Sequence, residues 1–277
     1  MKNSVNDTQL DDLTQLRDET IKDFGRQWST YRDNEGYYGS AELFTDIVSP
    51  LLDPKELKGC RVADIGSGTG RIVNMLLELG VESVIALEPS IAFDVLRRSL
   101  SDPNRVLCLN LTGDKLPRYG NLDYVFSIGV LHHIPDPAPV VEAAREALRD
   151  GGRFIIWVYG KEGNSIFLFF CNTLRLFTRR LPHFLLVVIV WLLDLLLVLY
   201  MKLCFHLPLP LQKYMLEVLN KLPASKRRLV IYDQLNPAYA KYYTRFEAER
   251  LLIREGFSNV QSSNRHGYSW TIMGTKP

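Results

Sequence analysis

Residues 60–72, CRVADIGSGTGRI, place three glycines between a short apolar run and a second apolar segment with a different period. The run before the glycines predicts a strand, and GRIVNMLLELG predicts a helix that Gly80 ends. A glycine-rich turn between a strand and a helix lets the backbone approach a ligand closely and points helix N–H groups at it. The stretch therefore predicts a site for a nucleotide-like cofactor at the end of a strand.

The chain beyond this turn continues to alternate strand patterns with helix patterns, which is typical of an α/β sheet. Near the C-terminus, Thr244 and Glu247 have the spacing of a capping box at the start of a helix. Two strands joined by SSNRHG are predicted after it. The further predicted strands are VESVIALEP, NRVLCLNL, LDYVFSIGV and RFIIWVYG.

An acidic residue at the end of the second strand narrows the choice of cofactor. Glu88 lies twenty residues after Gly68, where a carboxylate can accept hydrogen bonds from both ribose hydroxyls. A dinucleotide site is the competing interpretation, but its third glycine would stand where Arg71 is, and Gly70 comes one residue early. Asp64, two residues before the first glycine, is also foreign to the dinucleotide pattern.

The pattern D-x-G-x-G-x-G, followed by an acid at the next strand end, resembles class I S-adenosylmethionine (SAM)-dependent methyltransferases. LDYVFSIGVLHHIPDP, residues 122–137, is similar to the fourth strand and following loop of the ubiquinone/menaquinone-type small-molecule methyltransferases. The resemblance covers roughly residues 60–160 and resumes at 244–277. It implies a Rossmann-like seven-stranded α/β sheet of order 3-2-1-4-5-7-6 with strand 7 antiparallel, and it implies SAM as cofactor and S-adenosylhomocysteine as product.

The resemblance also assigns roles by position. Asp64 and the backbone around the glycines would face the methionine part of SAM, and Glu88 would bind the ribose. Near the adenine, the family often has an acid for which Asn110 or Asp114 is the counterpart. The cofactor-binding residues implied in this way are Asp64, Gly66, Ser67, Gly68, Gly70, Glu88, Asn110, Leu111 and Ser127.

His132 and His133 follow the fourth strand, where either imidazole is a candidate general base with a pKa near neutrality. Their alternative role is packing in the pocket wall. In the segment before the first strand, aromatic residues can shield the cofactor or contact a flat acceptor, or they can pack on the sheet. The candidate lid and substrate residues are Trp28, Tyr31, Tyr38 and, near the C-terminus, His266.

The segment from 161 to 236 interrupts the α/β rhythm. Within it, LLVVIVWLLDLLLVLYM, residues 185–201, carries Asp194 as its one charge, and residues 165–228 hold nine Lys or Arg against two acids. The chain enters from one strand of the sheet and must return to the same sheet, so we expect no single membrane crossing. A helical hairpin lying monotopically in the interface is predicted, with Arg175, Arg179, Arg180, Lys202 and residues 226–228 at the headgroups of an anionic membrane. The alternative is burial against the sheet or in a homodimer interface.

This interruption divides the chain into four predicted parts: an N-terminal helical cap at 1–50, a SAM-binding core at 51–160, the insertion at 161–236, and the end of the core at 237–277. The four scattered cysteines form no C-x-x-C pair, which argues against disulfides and a zinc site. No metal is expected. The polar N-terminal residues lack the apolar core of an export signal, so a cytoplasmic protein at the inner membrane face is expected.

The sequence thus predicts a methyltransferase that modifies a lipophilic small-molecule or lipid-linked acceptor. The alternatives are methylation of a soluble small molecule with the insertion used for dimerisation, a SAM-binding membrane module without turnover, and a nicotinamide-dependent reductase. Nucleic acid is not expected as a partner, because the basic residues lie among apolar runs without interleaved aromatic platforms.

Overall fold

The computed structural model describes residues 7–178 and 181–277, and these form a seven-stranded sheet with helices on both faces. The strand order is β3-β2-β1-β4-β5-β7-β6, and β7 runs antiparallel to both of its neighbours. The predicted fold class, strand order and direction of strand 7 are confirmed. The strands are β1 Arg61–Ile65, β2 Ser83–Leu87, β3 Val106–Leu109, β4 Leu122–Ile128, β5 Leu148–Tyr159, β6 Ser258–Arg265 and β7 Ser269–Thr275.

The helices precede, connect and follow these strands. Three lie between strands of the parallel part, and four belong to the segment between β5 and the last helix. They are α1 Asp7–Thr30, α2 Ala41–Val48, α3 Arg71–Glu78, α4 Phe93–Ser99, α5 Ala138–Ala147, α6 Ser165–Thr178, α7 His183–Cys204, α8 Gln212–Glu217, α9 Ala224–Leu235 and α10 Arg245–Arg254. The predicted capping box of Thr244 and Glu247 is present at the start of α10.

Two hydrophobic cores arise because successive residues of a strand point to opposite faces of the sheet. In β4, Val125 packs in the core beneath α5 and α10, whereas Phe126 packs in the core beneath α2 and α3. In β5, Phe154 likewise packs beneath α5 and α10, and Ile155 packs beneath α2 and α3. Because both faces are covered, the central strands are mostly apolar. Polar ligands can then bind at the edge where the parallel strands end.

The insertion packs onto the sheet face that carries α2 and α3. Its residues Met201, Leu219 and Leu229 belong to that core, and Leu186 and Val190 of α7 pack with Tyr232 and Leu235 of α9 in a smaller cluster. Both ends of the insertion are tied to β5, since Gly160 and Tyr243 form a parallel bridge. The helices therefore stand beside the edge at which the parallel strands end.

The basic residues of the insertion lie differently from the prediction. The guanidinium of Arg175 donates two hydrogen bonds to the Gln234 carbonyl, and the side chain of Lys226 is 1% exposed and pairs with Asp33. Arg227 and Arg228 both pair with Asp194. The placement of Arg175 and residues 226–228 at lipid headgroups is therefore wrong for Arg175, Lys226 and Arg227, because the Gln234 carbonyl, Asp33 and the buried Asp194 bind these cations within the fold. Arg179 and Arg180 lie outside the described residues, and Lys202 is exposed.

Candidate functional site

A cavity of about 410 Å³ opens at the carboxyl ends of the parallel strands. One end, here the loop end, is formed by the glycine turn of residues 65–69 with Glu88. The other, here the aromatic end, is formed by Trp157, Tyr159, Tyr214 and Tyr268. A cavity of this kind, mostly apolar with a few polar groups, is the usual form of a small-molecule site.

The glycine turn at the loop end has a backbone that other residues do not readily adopt. Gly66 has a φ of +77°, and a Cβ built there would lie 2.5 Å from a methyl carbon of Val130. Gly68 has a φ of +54° and lies beneath the Trp28 indole. The turn thus exposes main chain, rather than side chains, to the cavity.

Glu88 connects the turn to the second strand. One of its carboxylate oxygens accepts a hydrogen bond from Gly68 N at 2.8 Å, and the other accepts one from Ser90 N at 2.9 Å. Each carboxylate oxygen can accept more than one hydrogen bond, so the group remains able to bind a pair of hydroxyls. The predicted ribose contact fits this geometry.

Asp64 lies behind the turn and is 1% exposed. Burial raises the pKa of its carboxyl to about 7. Its Oδ2 has no hydrogen-bond partner among the described residues. Ser67 and Arg71 act on the same carboxyl, so Oδ2 is the atom that remains to accept from a cationic or hydrogen-bond-donating group.

Helix α1 forms the roof of the cavity. The side chains that face inward repeat every three or four positions, as one face of a helix requires. Asn34, just after the helix, exchanges two hydrogen bonds with Thr69 of the glycine turn. The roof residues are Leu13, Thr14, Arg17, Thr20, Ile21, Phe24, Gln27 and Trp28.

Two of the four candidate lid and substrate residues line the cavity, and two pack elsewhere. Tyr38 lines the cavity as predicted for a lid residue, and Trp28 does so from α1. Tyr31 instead packs against Tyr232 of α9, with ring centroids 6.0 Å apart. His266 is not among the lining residues, because its imidazole is held between Asp46 and Glu217 at 2.8 Å from each. The structure thus places His266 in a packing position outside the cavity, and its contact with substrate stays a prediction.

The two histidines have different environments. His132 is fully buried behind the wall, and burial together with His133 holds its pKa well below the usual range. His133 lines the cavity, and its Nδ1 is 2.9 Å from the Tyr239 carbonyl. A carbonyl only accepts, so Nδ1 carries the proton and Nε2 keeps its lone pair. Burial lowers the pKa of His133, so the ring is a neutral base at neutral pH.

The predicted adenine residues also need correction. Asn110 donates a hydrogen bond to the Glu88 carbonyl and is exposed, and Leu111 is 39% exposed. Neither lines the cavity, whereas Thr112, Gly113 and Asp114 do. Ser127 is fully buried behind the wall, which Ile128, Gly129 and Val130 form instead. Strands β3 and β4 thus reach the cavity one or more residues later than predicted.

Sequence reasoning did not predict the polar cluster at the aromatic end. Gln27, Tyr159 and Asp233 meet there: Gln27 Nε2 donates to one oxygen of Asp233 at 3.0 Å, and the Tyr159 hydroxyl donates to the other. Tyr214 and Tyr268 stack with ring centroids 4.2 Å apart. The position of Tyr159 at the end of β5 was a usable signal, but the contribution of α9 depended on how the insertion folds.

Comparison with known proteins decides the class of this site. The family model described as a methyltransferase domain matches residues 63–154, from β1 into β5. The chain carries a class I methyltransferase domain. The matched part of this methyltransferase domain includes Asp64, the glycine turn, Glu88 and both histidines. The cofactor of the class is SAM, as predicted.

Solved structures extend the likeness of the methyltransferase fold to the whole chain. Magnesium protoporphyrin IX methyltransferase from Synechocystis, with bound S-adenosylhomocysteine, is 15% identical, with a TM-score of 0.54 over 96% of this chain and 100% of that one. A Haloferax volcanii chain in complex with the Trm112 methyltransferase activator is 12% identical, with a TM-score of 0.50 over 86% of this chain and 89% of that one. The predicted class I SAM-dependent methyltransferase is confirmed at the level of the class.

Curated relatives of the methyltransferase domain are named for tRNA, whereas the sequence analysis predicted a lipophilic acceptor. The tRNA U34 carboxymethyltransferase of Photobacterium profundum is 33% identical over 124 residues, which are 43% of this chain and 38% of that protein. This chain therefore spans less than half the length of that relative.

Proposed function

We propose that this methyltransferase docks on a membrane surface through its insertion and transfers a methyl group to a lipophilic small-molecule or lipid-linked acceptor. The observation that carries the proposal is the apolar outer face of α7. Phe184, Leu196 and Leu199 are 65%, 63% and 57% exposed, although the inner face of the same helix packs on α9. An exposed apolar surface of this extent is characteristic of an interaction site.

The length of the apolar segment is that of a membrane helix. Phe184–Cys204 is the one helix among residues 7–178 and 181–277 that is long and apolar enough to cross a membrane, with a mean hydropathy of 2.8 and 22% of its most apolar window buried. Helix α6 adds Phe169 and Phe177, each 69% exposed. Both helices of the insertion thus expose large apolar side chains.

The ion pairs within the insertion favour a helix lying on the membrane over one crossing it. Asp194 is 2% exposed and binds Arg227 at 2.9 Å and Arg228 at 3.1 Å. A spanning α7 would carry this charged cluster into the hydrocarbon, where each charge costs several kcal/mol. A monotopic position with only the outer face immersed avoids that cost.

The same insertion lines the cavity. Tyr214 of α8 and Leu229, Val230 and Asp233 of α9 form part of its wall. A compound that leaves a membrane at α7 therefore meets the aromatic end across the thickness of one helical layer. This arrangement supports a lipophilic acceptor better than a long polar one.

The residues of the chain then divide the work of the reaction. When bound, SAM supplies a methyl group on a positively charged sulfur, and its transfer to an oxygen or nitrogen of the acceptor releases that atom's proton. Glu88 and the glycine turn orient the cofactor, and the roof of α1 excludes water. His133 lines the wall, its buried Nε2 has no hydrogen-bond partner among the described residues, and this nitrogen takes the released proton.

Two acceptor mixtures distinguish this proposal from the activity named for the relatives. The full chain is incubated with methyl-labelled SAM and either lipid-extract vesicles or bulk tRNA. We expect label in the organic phase, its loss in Glu88→Ala, and its retention in Glu82→Ala, an exposed acid near the same strand. Label in tRNA, or in neither mixture while S-adenosylhomocysteine still binds, would overturn the lipophilic acceptor.

A second candidate is a dimer that hides the face of α7 and methylates a soluble compound. The exposed leucines of α7 are also compatible with a dimer interface. Light scattering of the purified chain without detergent separates the two, because a stable dimer that does not bind vesicles supports only the second.

A further inference from the structure

The aromatic end of the cavity holds a carboxylate with neutral partners. Asp233 accepts hydrogen bonds from the amide nitrogen of Gln27 and from the hydroxyl of Tyr159. Among the ion pairs of the described residues, none involves Asp233. Its negative charge is therefore directed at the cavity without a bound cation from the protein.

Two further polar atoms at this end are hydrogen-bond acceptors. A carboxylate cannot donate, so the amide nitrogen of Gln27 must face Asp233, and its Oε1 is left as an acceptor. Neither Gln27 Oε1 nor His133 Nε2 has a hydrogen-bond partner among the described residues, although the two side chains are only 1% and 5% exposed. A buried acceptor without a donor costs about 1–3 kcal/mol, which a donating ligand would recover.

The rest of this wall is apolar or aromatic. Trp157, Tyr214 and Tyr268 present ring surfaces, and Leu229 adds an aliphatic one. The two arginines of the described lining are Arg17 of α1 and Arg71 of α3, whereas β5, α8, α9 and β7 contribute no lysine or arginine to it. Neither arginine forms an ion pair with Asp233, so an anionic group hydrogen-bonded at this end would meet that carboxylate directly.

We propose that Asp233 and Gln27 select the acceptor: they bind a hydroxyl or amino group that donates hydrogen bonds, carried on a flat or aliphatic body, and they reject carboxylates and phosphates. The inference rests on the proposed function, because it assigns the aromatic end to the acceptor. It makes Asp233, a residue of the insertion, a specificity determinant of the methyltransferase site.

Three matched probes test this selection without knowledge of the natural acceptor. 4-Butylphenol, 4-butylaniline and 4-butylbenzoate are titrated by calorimetry into the full chain saturated with S-adenosylhomocysteine. Loss of a hydrogen bond to a charged group corresponds to roughly 10- to 100-fold in affinity. We expect the phenol and the aniline to bind at least about tenfold more tightly than the benzoate.

Two variants and one control locate the selection. Asp233→Asn removes the charge and adds a donor, so the benzoate should bind about as tightly as the phenol. Asp150→Asn, at a carboxylate that is 89% exposed on the strand-β5 turn, should leave the order unchanged. Gln27→Met, which removes Oε1, should weaken the phenol more than the benzoate.

The outcomes separate this inference from the proposed function. A wild-type chain that binds the benzoate as tightly as the phenol overturns the selection whether or not the variants fold. An unchanged order in a folded Asp233→Asn, one that binds S-adenosylhomocysteine normally, also overturns it. If the wild-type chain does not bind S-adenosylhomocysteine at all, the proposed function itself fails.

Discussion

The outer face of α7 allows a quantitative test of membrane docking. Four leucines there are about half exposed or more, and together they present roughly the surface of two fully exposed leucine side chains. Burial of one such side chain is worth about 1.5–3 kcal/mol, so their immersion is worth about 3–6 kcal/mol. Replacing all four with glutamine, which retains helix propensity, should weaken vesicle binding by about 10²- to 10⁴-fold. The four are Leu192, Leu195, Leu196 and Leu199.

Vesicle sedimentation measures the effect, with phosphatidylcholine vesicles with and without phosphatidylglycerol. The matched control replaces three exposed apolar residues elsewhere, Leu107, Phe246 and Ile253, with glutamine. The control should sediment like the wild-type chain, and both variants should bind S-adenosylhomocysteine normally. Because Arg175, Lys226 and Arg227 are bound inside the fold, we also expect only a weak effect of salt.

Equal sedimentation of the fourfold variant and the wild-type chain would refute the reasoning. The same conclusion would follow if the control variant lost binding to the same extent, since the effect would then not belong to α7. A wild-type chain that sediments only at low salt would show that charge, and not the apolar face, binds the vesicles.

Three further predictions concern buried ionisable side chains. The folded pKa of Asp64, about 7, lies above its ordinary value of 3.8, so its favourable contribution is complete at low pH and is lost as the pH rises through 7. Asp64→Asn should therefore gain stability over the wild-type chain at pH 8, by up to about 4 kcal/mol in urea unfolding, while its affinity for S-adenosylhomocysteine falls about tenfold. Asp194→Asn leaves Arg227 and Arg228 without their carboxylate and should lose about 3 kcal/mol in the same unfolding assay. His133→Gln should reduce methyl transfer by about 10²- to 10⁴-fold with unchanged S-adenosylhomocysteine affinity, and wild-type activity should fall only below the usual histidine pKa, because burial lowers that of His133.

Each of these has a contrary result. A stability difference between Asp64→Asn and the wild-type chain that does not change from pH 5 to 8 would contradict the raised pKa. For Asp194→Asn, unchanged unfolding would mean that the two arginines find water. His206→Gln, at an exposed histidine of the insertion, is the control for His133→Gln, and equal losses in both would exclude a base at His133.

The parallel sheet could be predicted because its signals are local. Strand runs, the glycine turn and the capping box at Thr244 each depend on residues close in sequence, and the resemblance supplied the order of the strands. The loop end of the cavity followed from the same signals, since Gly68 and Glu88 belong to neighbouring strand ends.

The aromatic end and the insertion depend on contacts between distant residues. Gln27 and Asp233 are 206 positions apart, and nothing local to either indicates that they meet. The basic residues of the insertion were placed at lipid headgroups for a related reason. A sequence shows that Arg227 is charged, but it does not show that Asp194 lies 2.9 Å away and binds it. His266 likewise looked available until the fold placed Asp46 beside it.

The two ends of the insertion are joined by hydrogen bonds at its base. Lys161 N donates to Tyr243 O, and Tyr243 N donates to Tyr159 O, each at 2.9 Å. Some eighty residues thus leave and rejoin the domain at a single point, so their length and composition can change while every strand keeps its register. In a catalytic domain built in this way, changes in one segment can alter the acceptor and the localisation of the enzyme. The strands and turns that hold the methyl donor need not change.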